Sequence, residues 1–279
     1  MTSISQTQRD AARRIAHDVP DVDAGLPRWA RRNNPIILRQ LGAYWRVFLP
    51  QAAPLLKMFL LQSAFLLVSI QFEWLFVVLL TFLIPVAVGL PYIFYIYGQA
   101  LARAINYAST GMAEEYEKDT LRLLRTTPFT TREIVLSKVA AAVWRQADDI
   151  EQLLAYAAMV SLPAVLAIYL NGWPPSENNG LLQLMTIINY AACIIRIPLE
   201  ITMASALGTM LGATVRSRSI AFMATAVVMF FYFLLINTAR LVELSWAMQL
   251  GVDALLPVVL PVIVTALAVL GTMAYIERD

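Results

Sequence analysis

Long apolar runs occupy most of this chain and constrain its fold more than any other feature. Of the 279 residues, 59% are hydrophobic and only 14% are charged, and the mean hydropathy is +0.64. Soluble domains carry about a quarter charged residues, so the runs predict membrane-spanning helices rather than one large core. The predicted fold is all-α and polytopic. We expect six spans, near residues 54–70, 74–100, 150–170, 181–213, 220–237 and 254–276.

The cationic side chains are concentrated on one side of these predicted spans. Eight arginines precede the first span, seven cations lie between the second and third, and two arginines follow the fourth. Arg278 closes the chain, whereas the opposite loops hold only Arg240. Because positive charge stays on the cytoplasmic side, we expect a multi-pass protein of the cell membrane with both termini in the cytoplasm. Residues 1–32 are expected to be a flexible cytoplasmic tail, and residues 33–279 the membrane domain.

Residues 33–50 carry an apolar stripe at helical spacing, with Pro35 in a position that suits a first helical turn. Arg39 and Arg46 lie off the stripe. This pattern favours an interfacial helix whose aromatic rings lie at headgroup depth. The alternative is that the segment is simply the start of the first span. The stripe consists of Ile37, Leu41, Tyr44, Trp45 and Phe48.

A charged, helix-forming segment separates the second and third spans, at residues 101–149. Its central part, residues 114–138, is called the elbow below. Residues 113–125 are rich in helix formers, Pro128 predicts a turn, and Thr130 with Glu133 fits a capping box that would start a second helix near Thr131. The sequence therefore predicts two helices joined by a proline turn on the cytoplasmic side. The alternative is a solvated loop, against which the length of the segment argues.

No catalytic or cofactor site is evident in the sequence. The single histidine, His17, lies in the expected tail, and the single cysteine, Cys193, lies in an apolar run. The chain has no phosphate-binding loop of the G-x-x-x-x-G-K-[ST] kind. We therefore expect no enzyme activity, cofactor, metal site or nucleic-acid partner. If the protein uses ATP energy, a partner subunit must hydrolyse the ATP.

The fourth predicted span contains the most unusual residues of the membrane region. Arg196 and Glu200 are four residues apart and share a helix face. Charges inside a bilayer usually face a partner or a water-filled path, so the pair is either a structural ion pair or part of a transport pathway. Pro198 predicts a kink or break. Gly208 and Gly212 favour close helix contact, within the chain or across a dimer.

These residues together resemble a known family. The elbow is similar to the intracellular coupling segment of permease subunits of ATP-binding-cassette transporters, of the type-2 exporter class. The start Asn34-Pro35-Ile36 and the stretch 206–219, which ends in a Ser/Arg turn, also resemble members of this family. Three positions depart from the usual pattern: Asp119 and Ser137 replace glycine, and Phe129 replaces leucine. The matching elbow positions are Glu115, Glu117, residues 120–124 (TLRLL), Thr127, Pro128, residues 132–136 (REIVL) and Lys138.

The resemblance implies a half-transporter of a prokaryotic inner membrane. Two permease chains, as a homodimer or a heterodimer, would form the pathway in the lipid bilayer, and separate ATPase subunits would dock under the elbow and drive export. The alternatives are a membrane subunit that only docks in a larger complex, and an ion-coupled carrier that uses Arg196 and Glu200. The residues implied for coupling to the ATPase are Glu115, Glu117, Thr120, Arg122, Arg125, Pro128, Glu133 and Lys138.

Overall fold

The computed structural model is helical throughout the residues that it describes, which are 25–42, 52–69, 71–172, 175–239 and 244–278. A short 3₁₀ turn, Arg28–Ala30, precedes the first helix, and a π-helical turn, Gly251–Leu255, joins the last two. The helices are α1 (Pro35–Leu41), α2 (Ala52–Val68), α3 (Glu73–Thr81), α4 (Leu83–Glu117), α5 (Thr120–Arg125), α6 (Thr131–Trp144), α7 (Ala147–Gly172), α8 (Pro175–Val215), α9 (Arg218–Ala239), α10 (Trp246–Leu250) and α11 (Leu256–Arg278).

Five helical stretches in the described residues are long and apolar enough to cross a membrane. This agrees with the prediction of a polytopic helical protein. The stretch Ala53–Val68, where the first of six spans is predicted, is also apolar but shorter than the ~20 residues that a bilayer requires. The five are Val77–Glu117, Ala147–Tyr169, Gly180–Val215, Arg218–Ala239 and Met248–Arg278.

Helix α8 lies at the centre of the bundle and packs against α4, α7, α9 and α11. It continues through Pro198 without a break, although the sequence predicts a kink or break there. Its start is also earlier than expected, because residues 171–180 predict an exterior turn, whereas α7 extends to Gly172 and α8 begins at Pro175. A proline at the first helical position loses no hydrogen bond, which allows this early start.

Helix α4 extends well beyond the predicted second span. Its 35 residues correspond to a length of roughly 50 Å at 1.5 Å per residue, whereas the hydrocarbon core of a bilayer is about 30 Å thick. The helix passes without interruption through residue 101, where the polar segment is predicted to begin. The end of α4 that carries Glu114, Glu115 and Glu117 therefore lies beyond the length needed to cross the membrane.

Part of the predicted interfacial helix is present as α1. The Asn34 side chain accepts a hydrogen bond from the Ile36 backbone N–H (2.9 Å), and Gly42 ends the helix at a φ of +55°. However, the buried side chains of Ile37 and Leu41 pack on Ala141 and Trp144 of α6 rather than facing headgroups. The part of the stripe that the structure describes therefore packs on protein, since an apolar stripe shows that a helix has an apolar neighbour but not which one. Tyr44, Trp45 and Phe48 lie outside the described residues.

Large apolar side chains cover the outside of the bundle. Val88 of α4 is 79% exposed, and Phe230 of α9 and Leu267 of α11 are also mostly exposed. A chain surrounded by water would rarely present so large an apolar surface. The exposed side chains are compatible with contact to lipid tails, which supports a membrane environment.

Candidate functional site

The elbow consists of two helices and a turn, beginning where α4 ends. The C-cap residue of α4, Lys118, is followed by Asp119 in the left-handed conformation, with a φ of +53°. The short helix α5 follows, and α6 begins at Thr131 with a complete capping box. The Glu133 backbone N–H donates to the Thr130 hydroxyl (3.2 Å), and the Thr130 backbone N–H donates to the Glu133 carboxylate (3.0 Å). The predicted capping box and the predicted start of this helix are confirmed.

A buried ion pair ties α4 to α6 inside the elbow. The Lys138 ammonium lies 3.3 Å from a carboxylate oxygen of Glu115, and Arg39 of α1 lies 3.5 Å from the same oxygen. The Thr120 hydroxyl also donates a hydrogen bond to Glu115. Glu115 and Lys138 are 7% and 4% exposed. These four residues, named the elbow cluster, join α1, α4, α6 and the start of α5 around one carboxylate.

The environment of Lys138 explains why the cluster must contain an acid. Burial lowers the pKa of the Lys138 ammonium, because removal from water disfavours the charged form, whereas the attraction of Glu115 opposes this decrease. The remaining contact of the ammonium is the Gly111 backbone carbonyl, at 3.5 Å. A buried amine with one close carboxylate is costly to leave unpaired. The Glu115–Lys138 contact is therefore a structural connection inside the elbow.

The N-terminal segment supports α6 from its other side. The Asn34 side-chain amide donates to the Ser137 hydroxyl (3.1 Å), and the Trp144 indole N–H donates to the Ala30 carbonyl (2.8 Å). The Arg32 guanidinium lies over the Trp144 ring, 5.3 Å from its centroid. Both polar contacts join residues that are more than 100 positions apart. The elbow is thus held in place by folded contacts and is not a solvated loop.

Exposed acids of α4 connect the elbow to the start of α9. The Arg218 guanidinium lies 2.7 Å from Glu117 and 3.3 Å from Glu114. Glu114 also pairs with Lys118 one turn later. Pairs on an exposed surface contribute little to stability, on the order of 0–1 kcal/mol each. Their main consequence is that they connect the elbow to α9, the helix that follows α8.

The tip of the elbow, residues 120–130, presents the accessible surface. Leu123 is 66% exposed, and Pro128 and Thr126 are exposed. The backbone of α5 is described, but the side chains of Arg122 and Arg125 lie outside the described parts.

The residues implied for coupling therefore separate into three groups. Glu115, Thr120 and Lys138 meet in the elbow cluster, where the two charged side chains are too buried for a partner to reach. Glu133 caps α6, and Glu117 pairs with Arg218. Pro128 is exposed at the tip, and the backbone of Arg122 and Arg125 belongs to the same segment.

The predicted pair in the membrane region is also present, in a larger polar cluster. The Arg196 Nε donates to Glu200 Oε1 (2.5 Å), and the Tyr232 hydroxyl donates to the same oxygen (2.6 Å). The Tyr97 hydroxyl donates to the other carboxylate oxygen, and the Arg196 guanidinium lies 5.8 Å from the Phe233 ring centroid. Glu200 is only 1% exposed. The carboxylate thus joins α4, α8 and α9, which favours the structural interpretation of the pair.

The two glycines of α8 make their close contact within the chain. A Cβ on Gly212 would lie 2.6 Å from the Ser109 carbonyl oxygen, and a Cβ on Gly208 would lie 3.1 Å from the Ile105 carbonyl oxygen and the Ala108 Cβ. Both glycines therefore allow α8 to approach the C-terminal half of α4. This answers the question that the sequence leaves open between an internal and a dimer contact.

Sequence patterns missed a third buried acid. Asp253, 8% exposed, lies in the π-helical turn and accepts hydrogen bonds from the Tyr169 hydroxyl (3.0 Å) and the Gln249 side-chain amide (2.9 Å). Asn189 of α8 donates to the same Tyr169 hydroxyl. The sequence feature that could have revealed Asp253 is an acid in an otherwise apolar stretch, because a charged side chain inside a membrane needs a partner.

The described residues contain no group of three or more histidine, cysteine, aspartate or glutamate side chains that could hold a metal ion. Comparisons with protein-family models, curated proteins and solved structures found no match for this chain.

Proposed function

We propose that this chain is the membrane-spanning permease subunit of an ATP-driven transporter. In this proposal six spans cross the cell membrane of a prokaryote with both termini in the cytoplasm, two such chains form the export pathway, and separate ATPase subunits supply the energy. The chain itself is not an enzyme. The proposal starts from the sequence resemblance of the elbow to the coupling segments of such permeases.

The observation that carries the proposal is the construction of the elbow. Its exposed tip is attached to α4 and α6, and the buried Glu115–Lys138 pair links those two helices directly. Helix α4 continues into a membrane-crossing stretch, and α6 leads through Trp144 into α7. A force applied to the tip would therefore move two membrane helices together. An idle loop needs none of these contacts.

The contacts of Glu200 favour this function over an ion-coupled carrier. The carboxylate accepts hydrogen bonds from Arg196, Tyr97 and Tyr232 and is nearly inaccessible. A group that binds and releases a proton or cation during transport requires access to water. We therefore assign Glu200 to the packing of α4, α8 and α9.

The proposal is tested by recovery of an ATPase with the tagged full-length chain. Leu123→Asp places a charge on the exposed tip, and we expect it to abolish copurification of a protein with a phosphate-binding loop, while Leu123→Met retains it. Arg278→Gln, an exposed position at the end of α11 and outside the elbow, is the matched control. Insertion and folding are checked by membrane fractionation and by the thermal unfolding midpoint.

Two outcomes contradict the proposal. One is that the wild-type chain recovers no ATPase under conditions that preserve membrane complexes. The other is that the ATPase remains bound after residues 120–130 are replaced by a flexible linker. Stoichiometric recovery of a complex without an ATPase would favour the docking-subunit alternative.

A further inference from the structure

Two residues other than glycine adopt a left-handed backbone in the described part of the chain. Asp119 has a φ of +53° and Arg216 a φ of +57°. Asp119 follows the end of α4 in the elbow, and Arg216 lies in the short turn that joins α8 to α9. This conformation is unfavourable for a residue with a Cβ and persists only where surrounding contacts hold it. The contacts of the two turns therefore indicate what the strain is for.

Both turns contact the same residue, Tyr116, near the C-terminal end of α4. The Asp119 backbone N–H donates a hydrogen bond to the Tyr116 backbone carbonyl (3.2 Å). The Arg216 guanidinium lies over the Tyr116 ring, 4.9 Å from the ring centroid. One residue of α4 thus contacts the elbow turn through its backbone and the α8–α9 turn through its side chain.

The end of α11 contacts the Tyr116 ring as well. The Tyr116 and Tyr275 rings meet edge to face, with centroids 6.3 Å apart, and both pack against the hydrophobic core of the bundle. The Arg216 guanidinium also donates a hydrogen bond to the Tyr275 hydroxyl (3.3 Å). These three side chains, named the turn clamp, join α4, the α8–α9 turn and α11.

The turn clamp and the backbone strain oppose each other. A left-handed backbone at an arginine is unfavourable by an amount similar to the contribution of one cation–π contact at an exposed site. Loss of the contact between Arg216 and the Tyr116 ring would therefore favour a different backbone conformation at Arg216. The conformation of the α8–α9 turn thus depends on the position of a side chain that α4 carries.

We propose that Tyr116 couples the elbow to the α8–α9 turn and to α11. When the end of α4 moves, the Tyr116 ring moves with it, and Arg216 and Tyr275 follow. The elbow then acts on α8, α9 and α11 in addition to α4 and α6. The proposal rests on the proposed function for the source of the force, but the coupling itself is a property of this chain alone.

The test is hydrogen exchange of the purified full-length chain, measured by mass spectrometry. Arg216→Gln removes the guanidinium from the Tyr116 ring and leaves the ion pairs of Arg218 intact. We expect amide exchange in residues 117–125 of the elbow to become about two- to fivefold faster, the factor that corresponds to one exposed cation–π contact. Arg278→Gln also removes an exposed arginine and should not change exchange in the elbow.

The reciprocal variant perturbs the elbow and is measured at the other turn. Asp119→Val disfavours the left-handed backbone in the elbow, and it should accelerate exchange in residues 212–221, because coupling between two sites acts in both directions. Asp119→Asn, which tolerates a left-handed backbone, should leave residues 212–221 unchanged.

Faster exchange that is confined to the mutated turn would overturn the proposal, because the two turns would then be independent. Arg216→Gly removes the same guanidinium but relieves the strain, so it keeps the test decisive if Arg216→Gln fails to fold. No ATPase takes part in these measurements. A failure of the coupling is therefore distinguishable from a failure of the proposed function, which is tested by recovery of the ATPase.

Discussion

The buried carboxylates of Glu115 and Glu200 each contact a cation, but the two contacts are built in different ways. Glu200 lies one helical turn from Arg196 on α8, and two tyrosines from neighbouring helices add hydrogen bonds. Glu115 contacts Lys138 on a different helix, across the turn of the elbow. The Arg196–Glu200 pair can form whenever α8 forms. The Glu115–Lys138 pair exists only while the whole elbow is folded, so it reports on the part of the molecule that we propose to transmit force.

The largest expected effect is the loss of the Glu115 carboxylate. Glu115→Leu leaves the buried Lys138 amine without its acid, which should cost about 3–5 kcal/mol in free energy of unfolding. The measurement is denaturant unfolding in mild detergent. The double variant Glu115→Leu with Lys138→Met should recover most of the loss, because it replaces the pair by apolar groups. A loss smaller than that of Arg39→Gln, whose side chain is half exposed, would contradict the assigned role of the pair.

Removing the charge of Glu200 should have a smaller effect. Glu200→Gln keeps the shape and an acceptor for one tyrosine but weakens the contact with Arg196, at a cost of about 1–3 kcal/mol. The same unfolding experiment provides the comparison with Glu115→Leu. If Glu200→Gln were fully stable but abolished transport driven by a proton gradient, the structural assignment of Glu200 would be wrong and the carrier hypothesis favoured.

The packing of α8 on α4 should be sensitive to single methyl groups. Gly212→Ala forces a Cβ against the Ser109 backbone carbonyl and should cost about 1–3 kcal/mol, with a smaller loss for Gly208→Ala. Gly98→Ala on α4 is the matched control, since no atom lies within 4 Å of its added Cβ, and should stabilise the helix by up to about 1 kcal/mol. Thermal unfolding of the three variants measures the difference. Equal unfolding midpoints for Gly212→Ala and Gly98→Ala would contradict the close approach of α8 to α4.

The left-handed residue of the elbow should tolerate glycine better than any branched residue. Asp119→Gly relieves the strain of its φ of +53° and should raise stability by up to about 1 kcal/mol, whereas Asp119→Val should lower it. Hydrogen exchange of the α5 amides measures the local effect, and Asp119→Asn controls for the loss of charge. If Asp119→Gly and Asp119→Val had the same effect on stability, the folded elbow would not require a left-handed backbone at this position.

The smallest effect is the pH dependence of the α6 cap. The bond from the Thr130 backbone N–H lowers the pKa of the Glu133 carboxyl below its usual 4.5, and the Thr130 hydroxyl contact adds to this. Because the pKa of Glu133 is lower in the folded state, its carboxylate stabilises the helix at pH values above the usual pKa. This contribution is lost as the pH falls through the pKa of the folded state. Wild type and Glu133→Gln should therefore converge in unfolding midpoint at acidic pH. A difference that stays constant over that range would exclude a titrating cap.

The sequence predicted features that are set locally. The capping box of α6 depends on four consecutive residues, and the contact of Arg196 with Glu200 depends on helix periodicity. Glu115 and Lys138 were identified as elbow residues, but their pairing could not be predicted because it depends on the turn between α5 and α6. The contribution of Arg39 was missed because it depends on how α1 packs beside α4.

The features that the sequence left open have a common physical cause. The stripe of Ile37 and Leu41 is equally compatible with lipid and with protein, and only the packed structure shows that α6 covers it. The turn-forming residues 171–180 are partly helical, because α8 begins at Pro175, where a proline in the first helical turn loses no hydrogen bond. The contact of Asp253 with Tyr169 could not be predicted, because the packing of the bundle brings these residues together, whereas Gln249 is only four residues away.

The central claim is that the elbow tip faces the cytoplasm and contacts an ATPase. The direct measurement is labelling of Leu123→Cys, in a Cys193→Ala background, with a maleimide that does not cross membranes, followed by thiol crosslinking. We predict labelling in inverted vesicles but not in intact cells, and a crosslink to a protein with a phosphate-binding loop. Labelling of intact cells from outside would contradict the account, since an ATPase could not then reach the elbow.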